Sequence, residues 1–167
     1  MSWSRPCWPS ASAWTRSAWV STTRDDFAVS APEVVLAAIA GRTSTIKLGT
    51  AVTVLSSDDP VRVFERFATL DAVSHGRAEI TLGRGSFTES FPLFGYELRD
   101  YEKLFSEKLD LMAKLLDEAP VTWEGTVRAA LDKQEVYPKT ESGRISAWVG
   151  VGGSRSRWCV PRATGCR

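Results

Sequence analysis

The sequence predicts an α/β protein whose strands run parallel and are joined by packed helices. Two observations carry this. Three short, near-continuous apolar runs (Ile46–Leu55, Ala78–Leu82 and Ile145–Val151) have the character of strands buried on both faces. Between them lie segments with apolar residues at helical spacing, so strand and helix alternate along the chain.

The stretch Ile46–Gly85 organises the rest. After the first strand, Asp59-Pro60 supplies an N-cap and a proline at the first helical position. Val61, Phe64, Phe67, Ala68, Leu70 and Ala72 form the apolar side of that helix, with Arg62, Glu65 and Arg66 opposite. Ser74-His75-Gly76-Arg77 ends it, Gly76 being suited to the left-handed position beyond a helix C-terminus. Ala78–Leu82 is the next strand and runs into Gly83-Arg84-Gly85. Strand, helix and strand in this order form a βαβ unit with a right-handed crossover.

Elements on either side follow the same logic. Ser30-Ala31-Pro32-Glu33 places a cap, an early proline and a first-turn acid before a helix. Val34, Val35, Ala38 and Ile39 give that helix its apolar face, and Gly41 stops it. Ser86–Leu98 is too rich in Phe, Pro and Gly for a regular element and reads as an aromatic loop. Asp100 caps a long helix over Tyr101–Glu118, in which Leu104, Phe105, Lys108, Leu109 and Met112 share a stripe. Pro120–Pro138 contains short strands near Val121–Trp123 and Glu135–Tyr137. The third buried strand ends in Gly152-Gly153-Ser154.

The two ends are unlike this. Residues 1–24 hold four of the seven tryptophans among Ser, Arg, Pro and Cys, with neither helical nor strand periodicity, and residues 155–167 have the same flavour. The folded unit is therefore expected over residues 25–154, with ends that are either disordered or translated out of frame. Under GC-rich codon choice, reading Ser2–Thr23 from the third nucleotide of each codon gives VVEAVLAERVGLDAVGVGEHH, an amphipathic helix, a strand and a Glu-His-His ending. The same shift in the tail gives AESVVRAARDGLP. The nucleotide sequence of the gene decides between the two readings.

Composition excludes some functions. A net charge of +1 leaves no basic footprint for nucleic acid or anionic lipid. No apolar run approaches the roughly 20 residues of a membrane span. Cys7, Cys159 and Cys166 lack metal-ligand spacing, and three unpatterned cysteines with no apolar leader fit a reducing cytoplasm. No Ser-His-Asp or metal constellation is present.

In parallel α/β folds, ligands bind beyond the carboxyl ends of the strands. The loops in question start at Thr53–Asp59, Arg84–Gly95 and Gly152–Arg155. His75, the single histidine, lies at the opposite end and is better placed for a helix terminus than for catalysis. Arg84, between two glycines, suits a phosphate, the alternative being an arginine paired with a loop carboxylate. The glycines and serine of residues 152–154 suit an anion or a tight turn. Phe87, Phe91, Phe94 and Tyr96 either wall an apolar pocket or tuck beneath their own loop. Asp59 is accounted for as a helix cap.

Three motifs in order, LGTAV-x6-DP-VR, LD-x2-S-x-GR and LGRG, followed by VYP at Val136–Pro138 and WVGVGG, make the chain similar to the bacterial luciferase-like, flavin-dependent monooxygenases from Asp25 to Ser154. The resemblance implies a partial TIM (β/α)8 barrel that uses reduced flavin mononucleotide (FMN), with the deazaflavin F420 as the alternative cofactor. It further implies O2 and a small organic substrate, a flavin reductase as partner, and a homo-oligomer. By motif position Thr50, Ala51 and Val52 would lie against the isoalloxazine, with a cis peptide at Ala51–Val52. Arg84, Gly152, Gly153 and Ser154 would hold the phosphate. The catalytic residues remain unassigned, because Ser21-Thr22-Thr23 stands where the family carries Glu-His-His. A full barrel takes about 250 residues, and only about three of its eight strands are legible here. The alternative reading is thus a catalytically inactive fragment that associates with itself through open sheet edges. A doubly wound nucleotide-binding module is disfavoured, since no G-x-G-x-x-G follows the first strand.

Overall fold

The computed structural model describes residues 16–19, 23, 26, 28–150 and 158–159, with 16–19 and 158–159 described for their backbone alone. The elements run β1 (Arg16–Trp19), α1 (Pro32–Ala40), β2 (Lys47–Thr50), β3 (Thr53–Val54), α2 (Pro60–Val73), β4 (Ala78–Gly83), α3 (Ser90–Leu93), α4 (Tyr101–Leu115), β5 (Val121–Trp123), β6 (Leu131–Gln134), β7 (Ser146–Gly150) and β8 (Trp158–Cys159). The main sheet has the order β1-β2-β4-β7-β8, with β3 also paired to β4. Its β1, β2, β3, β4 and β7 pairings are parallel, and β8 alone is antiparallel. A separate antiparallel hairpin, β5–β6, stands beside it. This is an open, partial α/β barrel.

Both edge strands fall within segments expected to lie outside the folded unit. Their backbones pair from Arg16↔Lys47 to Trp19↔Thr50 on one edge and at Trp148↔Cys159 and Val149↔Trp158 on the other. Edge pairing uses main-chain groups that nearly every residue carries, so an irregular side-chain pattern does not forbid it.

The helices cover one face of the sheet. Ala78, Ile80 and Leu82 of β4 point into a core completed by Leu36 of α1, Phe64 and Phe67 of α2, and Leu111 and Met112 of α4. Asp59 caps α2 as its sequence position demands, its carboxylate accepting from the Val61 N–H at 2.9 Å. Four local expectations shift. The cap position of α1 is Ala31 rather than Ser30, without a side-chain bond, because proline at the first helical position already removes a donor. The 86–98 loop contains the single-turn helix α3 and a 3-10 turn at Leu98–Asp100, and Asp100 precedes α4 without a side-chain capping bond. The strand expected at Glu135–Tyr137 lies instead at β6, where Leu131 and Gln134 pair with Trp123 and Val121 of β5.

The LD-x2-S-x-GR motif is a lock at the amino ends of the strands. Arg77 is buried, and its guanidinium donates to the carbonyls of Ser74 (2.6 Å), Ile46 (3.0 Å) and Ala40 (3.0 Å) and to Thr43 Oγ1 (3.0 Å). One side chain thus ties together the end of α1, the start of β2 and the end of α2. His75 and Gly76 turn the chain with positive φ of 55° and 76°, bringing Arg77 back beneath the helix. Asp71, fully buried, accepts from the backbone and hydroxyl of Ser142 at 2.9 and 2.8 Å. This fastens the approach to β7. Replacing Arg77 by Ala leaves two buried carbonyls and one part-buried carbonyl without their donor and is expected to cost roughly 2–4 kcal/mol. Urea unfolding reads this as a lower midpoint at an unchanged slope.

Candidate functional site

At the carboxyl ends of the strands, the run expected as one strand over Ile46–Leu55 is split into β2 and β3. The peptide between Ala51 and Val52 is cis, as the resemblance implies. Pairing with β4 slips by one residue across it, from Leu48↔Ala78 and Gly49↔Glu79 to Thr53↔Leu82 and Val54↔Gly83. In an unbroken strand, residues three apart face opposite sides. Here the slip brings Thr50 and Thr53 together, both buried, with their hydroxyls 2.8 Å apart.

The same slip lays Val52 across the neighbouring strands. A Cβ on Gly83 would collide with the Val52 Cγ2, and one on Gly150 would come within 2.8 Å of its Cγ1. Gly83 and Gly150 are register partners on β4 and β7. Two facing glycines therefore make the seat that a branched side chain fills. Ala51 is exposed and Val52 half-buried, so their outer surface is free to meet a ligand. Beside them, on the face opposite the helices, lie Thr81 and the partly exposed Trp148.

Arg84 leaves β4 at this end. Its Nη1 donates to Glu102 Oε1 at 2.6 Å and its Cζ lies 5.2 Å from the centroid of the Phe105 ring. The guanidinium is 46% exposed and Glu102 is 69% exposed. The carboxylate partner comes from α4 rather than from a loop. Tyr101 Oη donates to the Gly85 carbonyl at 2.7 Å, holding the turn beyond Arg84. Gly152, Gly153 and Ser154 lie outside the described residues.

The aromatic loop divides between its two expected roles. Phe91 is buried and stacks on Tyr101 with centroids 5.6 Å apart. Phe87 and Phe94, with Val54, Ser57, Asp58 and Leu93, instead line part of a cavity of 1180 Å³ that continues along α1 and α2. Neither Val52 nor Arg84 lines it. His75 stands at the far end of the sheet, 86% exposed, with its Nδ1 3.7 Å from Glu141. Among the described residues no group of His, Cys, Asp or Glu is arranged to hold a metal. None of their helices is long and apolar enough to cross a membrane.

Lys108 is a residue that motif reasoning missed. Only 2% exposed, it donates from Nζ to the Ser56 carbonyl at 2.7 Å, and Nζ sits 4.1 Å from the Tyr96 ring centroid. Burial lowers its pKa to about 8, against the opposing pull of Asp59 and Asp58. Burial also raises the Tyr96 hydroxyl, with the same two carboxylates adding to the rise. The available signal was the placing of a lysine in the apolar stripe of α4, where a cation must find partners.

The profile of the luciferase-like monooxygenases matches residues 15–158. The alkanal monooxygenase alpha chain of the Kryptophanaron alfredi symbiont is 29% identical over 133 residues, covering 78% of this chain and 37% of that one. The FMN complex of the oxygenating constituent of 3,6-diketocamphane monooxygenase, from the CAM plasmid of Pseudomonas putida, aligns with a TM-score of 0.68 at 19% identity over 80% of this chain and 40% of that one. The coenzyme F420-dependent tetrahydromethanopterin reductase of Methanopyrus kandleri aligns with a TM-score of 0.58 at 25% identity over 74% and 39%. The chain spans less than half the length of the curated relatives it matches.

Two outcomes are expected at the site. Gly83→Ala drives a methyl group into a β-branched, stiff Val52 and costs about 1–3 kcal/mol, which Val52→Ala in the same molecule recovers in part. Thermal unfolding of the two single variants and the double variant measures the coupling. Lys108 is charged in folded and unfolded protein alike below about 8; between there and 10.5 the folded protein binds fewer protons, so stability rises with pH. Lys108→Met removes that rise, as denaturant midpoints across the window will report.

Proposed function

The chain belongs to the luciferase-like monooxygenase family, and we propose that it carries the cofactor side of a flavin-dependent monooxygenase site. The cofactor of this reading is reduced FMN, with F420 as the alternative, and the co-substrates are O2 and a small organic molecule. A flavin reductase would deliver the reduced cofactor. The observation that carries the reading is the seat at the strand ends, where Val52 lies over Gly83 and Gly150 while Arg84 leaves the same end of β4 half exposed.

Such a cofactor suits the residues present. Ala51 and Val52 offer small apolar side chains to a planar ring. Arg84 offers a guanidinium that can bind a phosphate with two parallel N–H donors. Its turn is held by Tyr101, so little order has to be created on binding. Bound reduced flavin would supply the electrons that activate dioxygen, and the protein the orientation. In this reading the folded unit is residues 25–154, its sheet lengthened at both edges by the backbone pairing of 16–19 and 158–159.

A second reading, a polypeptide without catalytic activity that pairs with its own copies, is favoured by one feature. The sheet face bearing Thr81 and Trp148 has no covering helix among the described residues.

Titration of the purified chain with FMN, followed by flavin fluorescence, tests the first reading. Saturable binding is expected, weakened at least about tenfold in Arg84→Ala, the loss that follows from one charge-assisted contact. No saturable binding, together with sedimentation as a defined dimer or larger species, would favour the second.

A further inference from the structure

The α4 helix presents one face to the strand ends. Tyr101, Phe105 and Lys108, spaced by four and three, share that face, and Glu102 stands beside them. Tyr101 holds the Gly85 carbonyl, Phe105 underlies Arg84, and Lys108 holds the Ser56 carbonyl. Glu102 differs from these three in being 69% exposed, and its carboxylate accepts from the Arg84 guanidinium at 2.6 Å.

A guanidinium offers its N–H donors as a planar fork, and a carboxylate and a phosphate seek the same fork. The two anions also repel each other, so they do not share it without cost. An exposed ion pair of this kind is weak, being screened by solvent and opposed by side-chain entropy. A phosphomonoester brings nearly two negative charges and three acceptor oxygens against the single charge of a carboxylate.

We infer that Glu102 is a built-in occupant of the phosphate position: its carboxylate holds the Arg84 guanidinium over Phe105 until a phosphate-bearing cofactor displaces it. This rests on the reading of Arg84 as the phosphate ligand. Glu102 then tunes the affinity for the phosphate. A phosphomonoester displaces the carboxylate at a constant cost in affinity, while a flavin whose tail lacks a phosphate leaves the ion pair in place and does not bear that cost. Phe105 keeps the guanidinium in position during the exchange, since its ring contact does not depend on which anion is bound.

The test compares FMN with riboflavin, which differs only in lacking the phosphate, on the full chain and on Glu102→Gln and Arg84→Ala. Fluorescence titrations at low ionic strength give the dissociation constants, and circular dichroism confirms that the exposed substitutions leave the fold intact. The expected result is FMN binding about two- to fivefold tighter in Glu102→Gln, the span of one exposed ion pair, with riboflavin unchanged. The gain should shrink as salt is added. If FMN is preferred over riboflavin and Arg84→Ala abolishes the preference, yet Glu102→Gln leaves FMN binding unchanged or weaker, the inference is wrong and the phosphate reading stands. If FMN and riboflavin bind alike and Arg84→Ala changes neither, or if neither flavin binds, the phosphate reading itself fails and the inference falls with it.

Discussion

The contact between Val52 and the glycine pair Gly83 and Gly150 is the constraint on which the carboxyl end of this sheet depends. Three parallel strands meet there, and ordinary side chains at all three positions would not fit. Removing two Cβ atoms lets the third residue lie across its neighbours. The one-residue slip between β2 and β3 follows, because Val52 reaches that seat only if the chain spends an extra residue before resuming its pairing with β4. The buried Thr50–Thr53 hydroxyl pair satisfies the polar groups that the irregularity turns inward.

The two ends of the sheet are held by different kinds of interaction. At the amino ends Arg77 is buried and surrounded by carbonyls, so its positive charge is committed to the structure. At the carboxyl ends Arg84 is half exposed and paired with one exposed carboxylate. Both residues follow a glycine or precede one in similar-looking motifs, yet one closes the fold and the other stands at the surface. Burial, rather than residue type, separates the arginine committed to the fold from the one that is not.

The α4 helix links these considerations to the site. Phe105 belongs to the core, and it, Tyr101 and Lys108 each touch the turn after β3 or β4. The helix is therefore a brace for two loops at the carboxyl ends of the strands as well as a layer over the sheet. Lys108 performs this with a buried ammonium group, whose desolvation is offset by the Ser56 carbonyl, the Tyr96 ring and the nearby carboxylates.

Local chemistry in the sequence was sufficient for much of the fold. The Asp59-Pro60 start of α2, the Gly76 turn, β4, β7 and the alternation that demands parallel strands all follow from caps, breakers and periodicity, which act over a few residues. The motif order also implied the cis peptide at Ala51–Val52. Other features needed the tertiary structure. The pairing of β1 and β8 depends on sheet edges that no local pattern announces. The roles of Arg77 and Lys108 depend on carbonyls 31 and 52 residues away, and the partner of Arg84 lies 18 residues on. Sequence periodicity sets which way a side chain points along its own element; which groups it meets there is decided only when the elements pack.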